Sequence, residues 1–190
     1  MSILDLSLWS VRAFALFWGL IWGSFLNVVI YRVPREMSVV RPASHCPACG
    51  APVRAWDNVP VLSYVILRGR ARCCGARFSP RYVLVELIGG VLSLAILEVV
   101  IFRMPASVPI EHMAAVYFAN FTLAMALVAA AFIDLEHMYL PDTVTIGGAV
   151  LGIATSSFRG HTFVEATIGA VSYTHLRAHE TKANLVCRLL

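Results

Sequence analysis

Asp134, Glu136 and His137 follow twenty-one uncharged residues, Met113 to Ile133, and precede Leu140-Pro141-Asp142. A carboxylate where an apolar run meets water is costly to bury and able to do acid–base chemistry. On position alone Asp134 has two readings. It is a functional acid, or it is a charge that marks the end of a membrane span. Asp142 reads first as the N-cap of a following helix, because Asp caps well and an apolar run opens at Thr143. Catalysis is its second reading.

Thiols form the other constellation. Cys46-Pro47-Ala48-Cys49-Gly50 has the form of a zinc-knuckle hairpin. Its two-residue gap lets two thiolates face one tetrahedral ion, and the glycine permits the tight turn beneath them. Cys73-Cys74-Gly75 follows, with Ala71 standing where a partner of Cys74 belongs. The expected ligands are Cys46, Cys49, Cys73 and Cys74, although adjacent cysteines converge on one ion only with an unusual local backbone. His45 is the alternative ligand. A weakened knuckle and unrelated thiols are the competing readings. A metal here is expected to be structural, folding a loop whose core is too small to hold itself together.

The elements that carry these groups are membrane spans. The 190 residues are 59% apolar and 14% charged, with a mean hydropathy of +0.76. A soluble domain is about 25% charged, so composition places the chain in a bilayer. The first run, Ala13 to Tyr31, is nineteen residues without a charge and lacks a basic segment before it, so it reads as a retained span rather than a cleaved signal. Gly19 and Gly23 make a small-xxx-small pair, and Ser24 and Asn27 continue that surface. Asn27 reads as an interhelical hydrogen-bonding residue.

Between Arg32 and Arg81 nine arginines face only Glu36 and Asp57, a balance of +7. The positive-inside rule places this loop in the cytoplasm and the N-terminus outside. Disulfides are not expected there. The apolar run Val61 to Leu67 is too short to span, and reads as the core of a small loop domain or as an interfacial segment. In the next span Glu86 lies within reach of the loop arginines and reads first as an arginine-paired structural acid, with direct chemistry as its second reading. Glu98 lies near the far face and is placed to snorkel towards water.

The expected architecture is an all-α polytopic membrane protein, a helical bundle with a small zinc-knuckle domain between spans 1 and 2. Residues 1–31 hold the first span and 32–81 the cysteine- and arginine-rich domain. Residues 82–171 hold the bundle, with spans near 82–102, 113–133 and 143–158 and a partial span at 162–171. The fourth segment is rich in small residues and is expected to pack closely inside the bundle. From Ser172 to Leu190 the composition changes: the only lysine and two of six histidines sit there. That tail reads as non-native sequence, with a genuine short tail as the alternative.

Several motifs in order carry a resemblance. They are Gly23-Ser24-Phe25-Leu26-Asn27-Val28-Val29-Ile30-Tyr31-Arg32-Val33-Pro34, the Cys46-to-Gly50 knuckle, and Trp56-Asp57-Asn58-Val59-Pro60-Val61-Leu62-Ser63-Tyr64. Then come Cys74-Gly75, Ser79-Pro80-Arg81-Tyr82 through Val85-Glu86-Leu87, and Ala131 to Asp142. Over Phe17 to about Val171 the chain resembles the bacterial type IV prepilin peptidases, bifunctional leader peptidase/N-methyltransferases of pilus and type II secretion systems. The resemblance implies an intramembrane aspartyl protease of the bacterial inner membrane, acting at its cytoplasmic face. Its substrates would be type IV prepilins or pseudopilins, and its methyl donor S-adenosylmethionine, to which no residue is assigned.

One catalytic aspartate of that family falls on Asp134. The other lies in a GxGD motif that this sequence does not contain. Aspartyl proteolysis needs two carboxylates, one as base and one as acid. Glu136 and Asp142 are poor substitutes, since i and i+2 side chains diverge on a helix. The chain is therefore expected to be a C-terminally truncated, inactive part of the enzyme. The alternative is a non-catalytic membrane scaffold whose basic zinc loop docks on a partner or on anionic lipid. Nucleic-acid binding is not expected: few aromatics are arranged for stacking, and topology already explains the arginines.

Overall fold

The computed structural model describes residues 3–41, 43–138, 142–160 and 162–169. The described residues are helical apart from loops and turns, with two isolated bridges, His45 to Pro52 and Arg70 to Arg77, and no strands. Helix α1 covers Ile3–Arg32, the short α2 Leu62–Ile66, α3 Arg81–Ile96, α4 Ile110–His137 and α5 Asp142–Ala154. A final helix, α6, covers residues 163–169. Among the described residues three stretches are long and apolar enough to cross a membrane: Ser7–Arg35, Arg81–Ile101 and Ile110–His137. At about 1.5 Å per residue the thirteen residues of α5 reach about 20 Å, short of a ~30 Å hydrocarbon core.

Glycine decides how α1 meets α3. A side chain on Gly89 would stand 2.5 Å from the Gly19 carbonyl oxygen, and one on Gly23 would stand 2.7 Å from the Glu86 Cα. These residues let two backbones touch, which is how apolar helices gain van der Waals contact where lipid supplies no hydrophobic drive. Beside the seam the fully buried Ser93 hydroxyl donates to the Ala15 carbonyl and lies 2.6 Å from the Tyr117 hydroxyl. One side chain thus joins α1, α3 and α4.

Two apolar clusters fill the bundle. Leu26, Ile30, Val85, Phe121, Met125, Ala129 and Ile133 form one. Ala15, Leu97, Ile101, Val116 and Tyr117 form the other. The opposite face of α1 shows Phe14, Phe17, Ile21 and Phe25 outward, as a lipid-facing helix does. At the far end α3 widens into a π turn over Leu97–Ile101. There Glu98 does not simply reach for water: it pairs with Arg12 at 2.5 Å, and Arg12 lies 5.3 Å from the ring centres of both Trp9 and Phe102.

Contrary to expectation, the fourth segment is not enclosed by the bundle among the described residues. The main contacts of α5 are with α4. Added side chains on Gly147 and Gly148 would meet nothing within 4 Å, and Ile146 and Val150 are exposed. Small residues permit close approach but do not cause it, and among the described residues the face of Gly147 and Gly148 meets nothing. Helix α5 begins at Asp142, but the capping contact expected of that side chain lies outside the described residues. So do Tyr139 to Pro141 and the tail from Ser172.

Candidate functional site

The cysteine domain is two hairpins built alike. In the first, Cys46 N–H donates to Ala51 O and Gly50 N–H to Cys46 O, each at 2.8 Å. In the second, Ala71 N–H donates to Ala76 O at 2.7 Å and Gly75 N–H to Ala71 O at 2.8 Å. Gly50 and Gly75 both have positive φ, +72° and +71°, which glycine adopts without strain. Ala71 therefore occupies the place of Cys46 in the second hairpin, and both are buried.

Cys73 fills the gap from the next turn position but one. The four Sγ atoms of Cys46, Cys49, Cys73 and Cys74 lie within 4.8 Å of one another. Cys49 to Cys73 is 3.3 Å, Cys46 to Cys74 3.7 Å and Cys73 to Cys74 3.9 Å. Zinc–sulfur bonds of ~2.3 Å in a tetrahedron put sulfurs about 3.8 Å apart, so this donor set fits one such ion. His45 is not in the cluster; its Nδ1 lies 3.2 Å from the Ala43 carbonyl.

The thiols differ in their charge. Backbone N–H groups of Ala48 and then Cys49 pull Cys46 down to about 6, so it is a thiolate at neutral pH. The hydrogen bond with Cys49, helped by burial, pushes Cys73 up to about 12. At Cys74 the Ala76 N–H favours the thiolate, but burial and Cys46 outweigh it and the thiol is raised. The domain is braced by Arg72 and Asp57, 2.9 Å apart. That pairing raises the guanidinium further.

The domain is fixed to the spans by Glu86. Its buried carboxylate accepts the Val61 N–H at 2.7 Å and a bond from Ser24. The arginine partner expected for Glu86 is not found: among the described residues no ion pair engages it. The backbone donor reaches it because Val61, at φ 60° and ψ −49°, is the centre of a strained γ-turn closed by Leu62 N–H to Pro60 O. Asn27 donates to the Tyr82 carbonyl at 3.0 Å, the interhelical bond expected of it. The apolar run after Val61 is not a domain core: Leu62, Val65 and Ile66 are all more than half exposed, beside an exposed Trp56. Its five-residue helix is too short to bury both faces, and the run keeps the interfacial reading.

Asp134 lies on the last turns of α4, exposed, directly after the fully buried Ile133. The Asp134 carbonyl accepts the N–H of Met138, which ends the helix in the left-handed region. Glu136 is engaged by an ion pair with Arg81 at the start of α3, and Arg81 lies 5.7 Å from the Phe132 ring. The structure thus brings Asp134 to the same end of the bundle as the cysteine domain, while the two remain separate sites. Sequence reasoning missed Val61 as the partner of Glu86 and Asp57 as the partner of Arg72. Pro60 before Val61 was the one local signal of a turn.

Fold and site together define a multi-pass helical membrane protein with a four-cysteine cluster, able to hold a metal ion, between its first two spans. Residues 17–100 match the family model of the bacterial peptidase A24 N-terminal domain, and residues 121–176 match that of the type IV leader peptidase family. The chain belongs to this family. It is 43% identical over 160 residues to a prepilin leader peptidase/N-methyltransferase of Myxococcus xanthus, covering 80% of this chain and 42% of the relative. To that of Neisseria gonorrhoeae it is 34% identical over 179 residues, covering 81% and 59%. To a type 4 prepilin-like proteins leader peptide-processing enzyme of Escherichia coli it is 40% identical over 147 residues, covering 68% and 51%. The chain spans about half the length of the curated relatives it matches. No solved structure matches it significantly.

Proposed function

We propose that this chain forms the metal-knuckle and first-carboxylate part of an inner-membrane leader peptidase for type IV prepilins or type II secretion pseudopilins, with N-methyltransferase activity in the whole enzyme. Asp134 is one of two catalytic aspartates, and Zn2+ is the structural ion of Cys46, Cys49, Cys73 and Cys74. The observation that carries the reading is Asp134 itself: an exposed carboxylate at the bundle end that also bears the knuckle. The excess of loop arginines supports a cytoplasmic placement of that end, with the N-terminus outside.

Glu136 is held by Arg81, so Asp134 has no second carboxylate beside it on α4. The 190 residues alone are then inactive in proteolysis, because one carboxylate cannot be base and acid at once. Purified chain incubated with a prepilin gives no leader cleavage. In a longer protein that joins this chain to a second catalytic aspartate, cleavage appears, and Asp134→Ala abolishes it with membrane insertion intact. Turnover by the 190 residues alone refutes the half-site reading. We keep a second reading, a membrane scaffold, because the exposed apolar residues of α2 beside a basic loop suit a docking surface. In that case Asp134→Asn changes nothing. We propose that residues from about Ser172 are non-native; resequencing the coding region tests this.

A further inference from the structure

Helix α2 is amphipathic the wrong way round for a loop domain. Leu62, Val65 and Ile66 stand at i, i+3 and i+4 on one face, and that face points outward: each is more than half exposed. Trp56 and Val59, exposed as well, extend it. Ser63, Tyr64 and Leu67 turn instead to the space between the domain and the spans. The Ser63 hydroxyl donates to the Val59 carbonyl, and the Tyr64 ring lies against Gly69. An outward apolar stripe of this kind marks an interaction surface.

The anchor of α2 fixes its level. The span Arg81–Ile101 has 21 residues, about 31 Å of helix, so Arg81 stands where the hydrocarbon core ends. Glu86 is further in, about 7 Å below Arg81 along the axis, with its side chain leaning back towards the helix start. Its carboxylate takes the Val61 N–H. The start of α2 is thereby held beneath the end of the span and not above it. Amphipathic helices seat at this level, their apolar faces about 5–10 Å into the boundary of headgroups and acyl chains. Charge agrees. Exposed Arg54 and Arg68 flank the stripe, and Arg54 lies 5.7 Å from the Trp56 ring centre. Among the described residues neither forms an ion pair, and Asp57, the only carboxylate between residues 50 and 80, is held by Arg72. Basic side chains beside an apolar face complement an anionic lipid surface.

We infer that α2 is an interfacial helix of this protein's own membrane. Trp56, Leu62, Val65 and Ile66 enter the nearer leaflet, Arg54 and Arg68 take anionic lipid headgroups, and the four-cysteine domain is thereby laid against the bilayer. This seating needs the spans and not the peptidase activity.

The test uses the zinc-loaded 190-residue chain in nanodiscs of phosphatidylcholine, with and without phosphatidylglycerol. Subtracting the emission of a Trp56→Phe variant isolates Trp56 from the other tryptophans. Expected is a Trp56 quenched by bromine placed high on the lipid acyl chains and shielded from aqueous iodide, more so with phosphatidylglycerol. Leu62→Ser, Val65→Ser and Ile66→Ser together lower the ratio of bromine to iodide quenching at least about tenfold. Zinc content stays unchanged, since these exposed side chains hold no core. Arg54→Gln and Arg68→Gln each lower the ratio about fivefold, in the anionic discs alone. An Ile66→benzoylphenylalanine variant, irradiated with excess prepilin present, cross-links to lipid. It keeps the apolar face, so it decides the matter even where the triple variant misfolds. A Trp56 open to iodide, or a cross-link to prepilin or to a second copy of the chain in place of lipid, overturns the inference. Equal ratios in neutral and anionic discs overturn the assignment to anionic lipid. Leader cleavage by a longer wild-type protein, scored in parallel, tests the peptidase reading alone.

Discussion

The Val61 N–H donates to the Glu86 carboxylate at 2.7 Å, across a gap of twenty-five residues and from loop domain to membrane span. The bond is made from a conformation that a β-branched residue rarely adopts. Strain of this kind costs about 1–3 kcal/mol and persists where the surroundings enforce it. Glu86 is the enforcing group. Glu86→Ala is expected to lose about 1–3 kcal/mol of stability by orphaning that donor. Val61→Gly keeps the donor and relieves the strain, against about 0.5–1 kcal/mol for glycine's flexibility, so it melts at or above wild type. A Val61→Gly protein that melts well below wild type would show that the turn is not strained.

Metal affinity should climb steeply with pH. Metal ligands bind as thiolates. In the metal-free knuckle Cys46, at about 6, is already deprotonated at pH 7, while Cys73, at about 12, and the raised Cys74 hold their protons. Loading an ion therefore expels at least these two protons. Each adds about tenfold per pH unit, so zinc affinity rises about a hundredfold between pH 7 and 8. Competition with a chromophoric chelator measures it. A rise of only about tenfold would mean that one of Cys73 and Cys74 is not a ligand, and a flat profile that neither is.

At the helix seam a single methyl decides. Gly89→Ala drives a Cβ against the Gly19 carbonyl and is expected to cost about 1–3 kcal/mol in a detergent melting experiment. Gly147→Ala, with open space around it, is neutral or gains up to about 1 kcal/mol from helix propensity.

Much of this architecture is legible in the sequence because its causes are local. Uncharged runs of span length, the Gly19/Gly23 spacing and the glycine after each knuckle act within a few residues. Cys73 is among the ligands the sequence suggests, but the way it converges is not legible, because it depends on Ala71 folding as the counterpart of Cys46 and on both hairpins meeting. Nor is the partner of Glu86: arginines are abundant in the loop, but the donor is a backbone group exposed by an improbable turn. The glycines of α5 mislead for the opposite reason, since composition states what could pack and not what is present to pack against.

Glu136 separates position from chemistry at the bundle end. Its ion pair with Arg81 is about one-third exposed on both sides, and such pairs contribute about 0.2–1 kcal/mol. In a longer, cleaving protein Glu136→Gln is expected to slow leader cleavage by no more than about fivefold, where Asp134→Asn abolishes it. Initial rates on one prepilin settle it; equal losses would make Glu136 a member of the dyad.

The bridging hydroxyl of Ser93 has a direction. A serine owns one proton, and that proton goes to the Ala15 carbonyl. The short contact with Tyr117 must then be made with the tyrosine's proton. The three spans are thus joined by a one-way relay, polarised from α4 through α3 to α1. Its two ends are unequal. Phenylalanine at 117 leaves serine still bonded, whereas alanine at 93 strands a tyrosine donor in an apolar interior, so the relay tolerates change less at its middle than at its aromatic end.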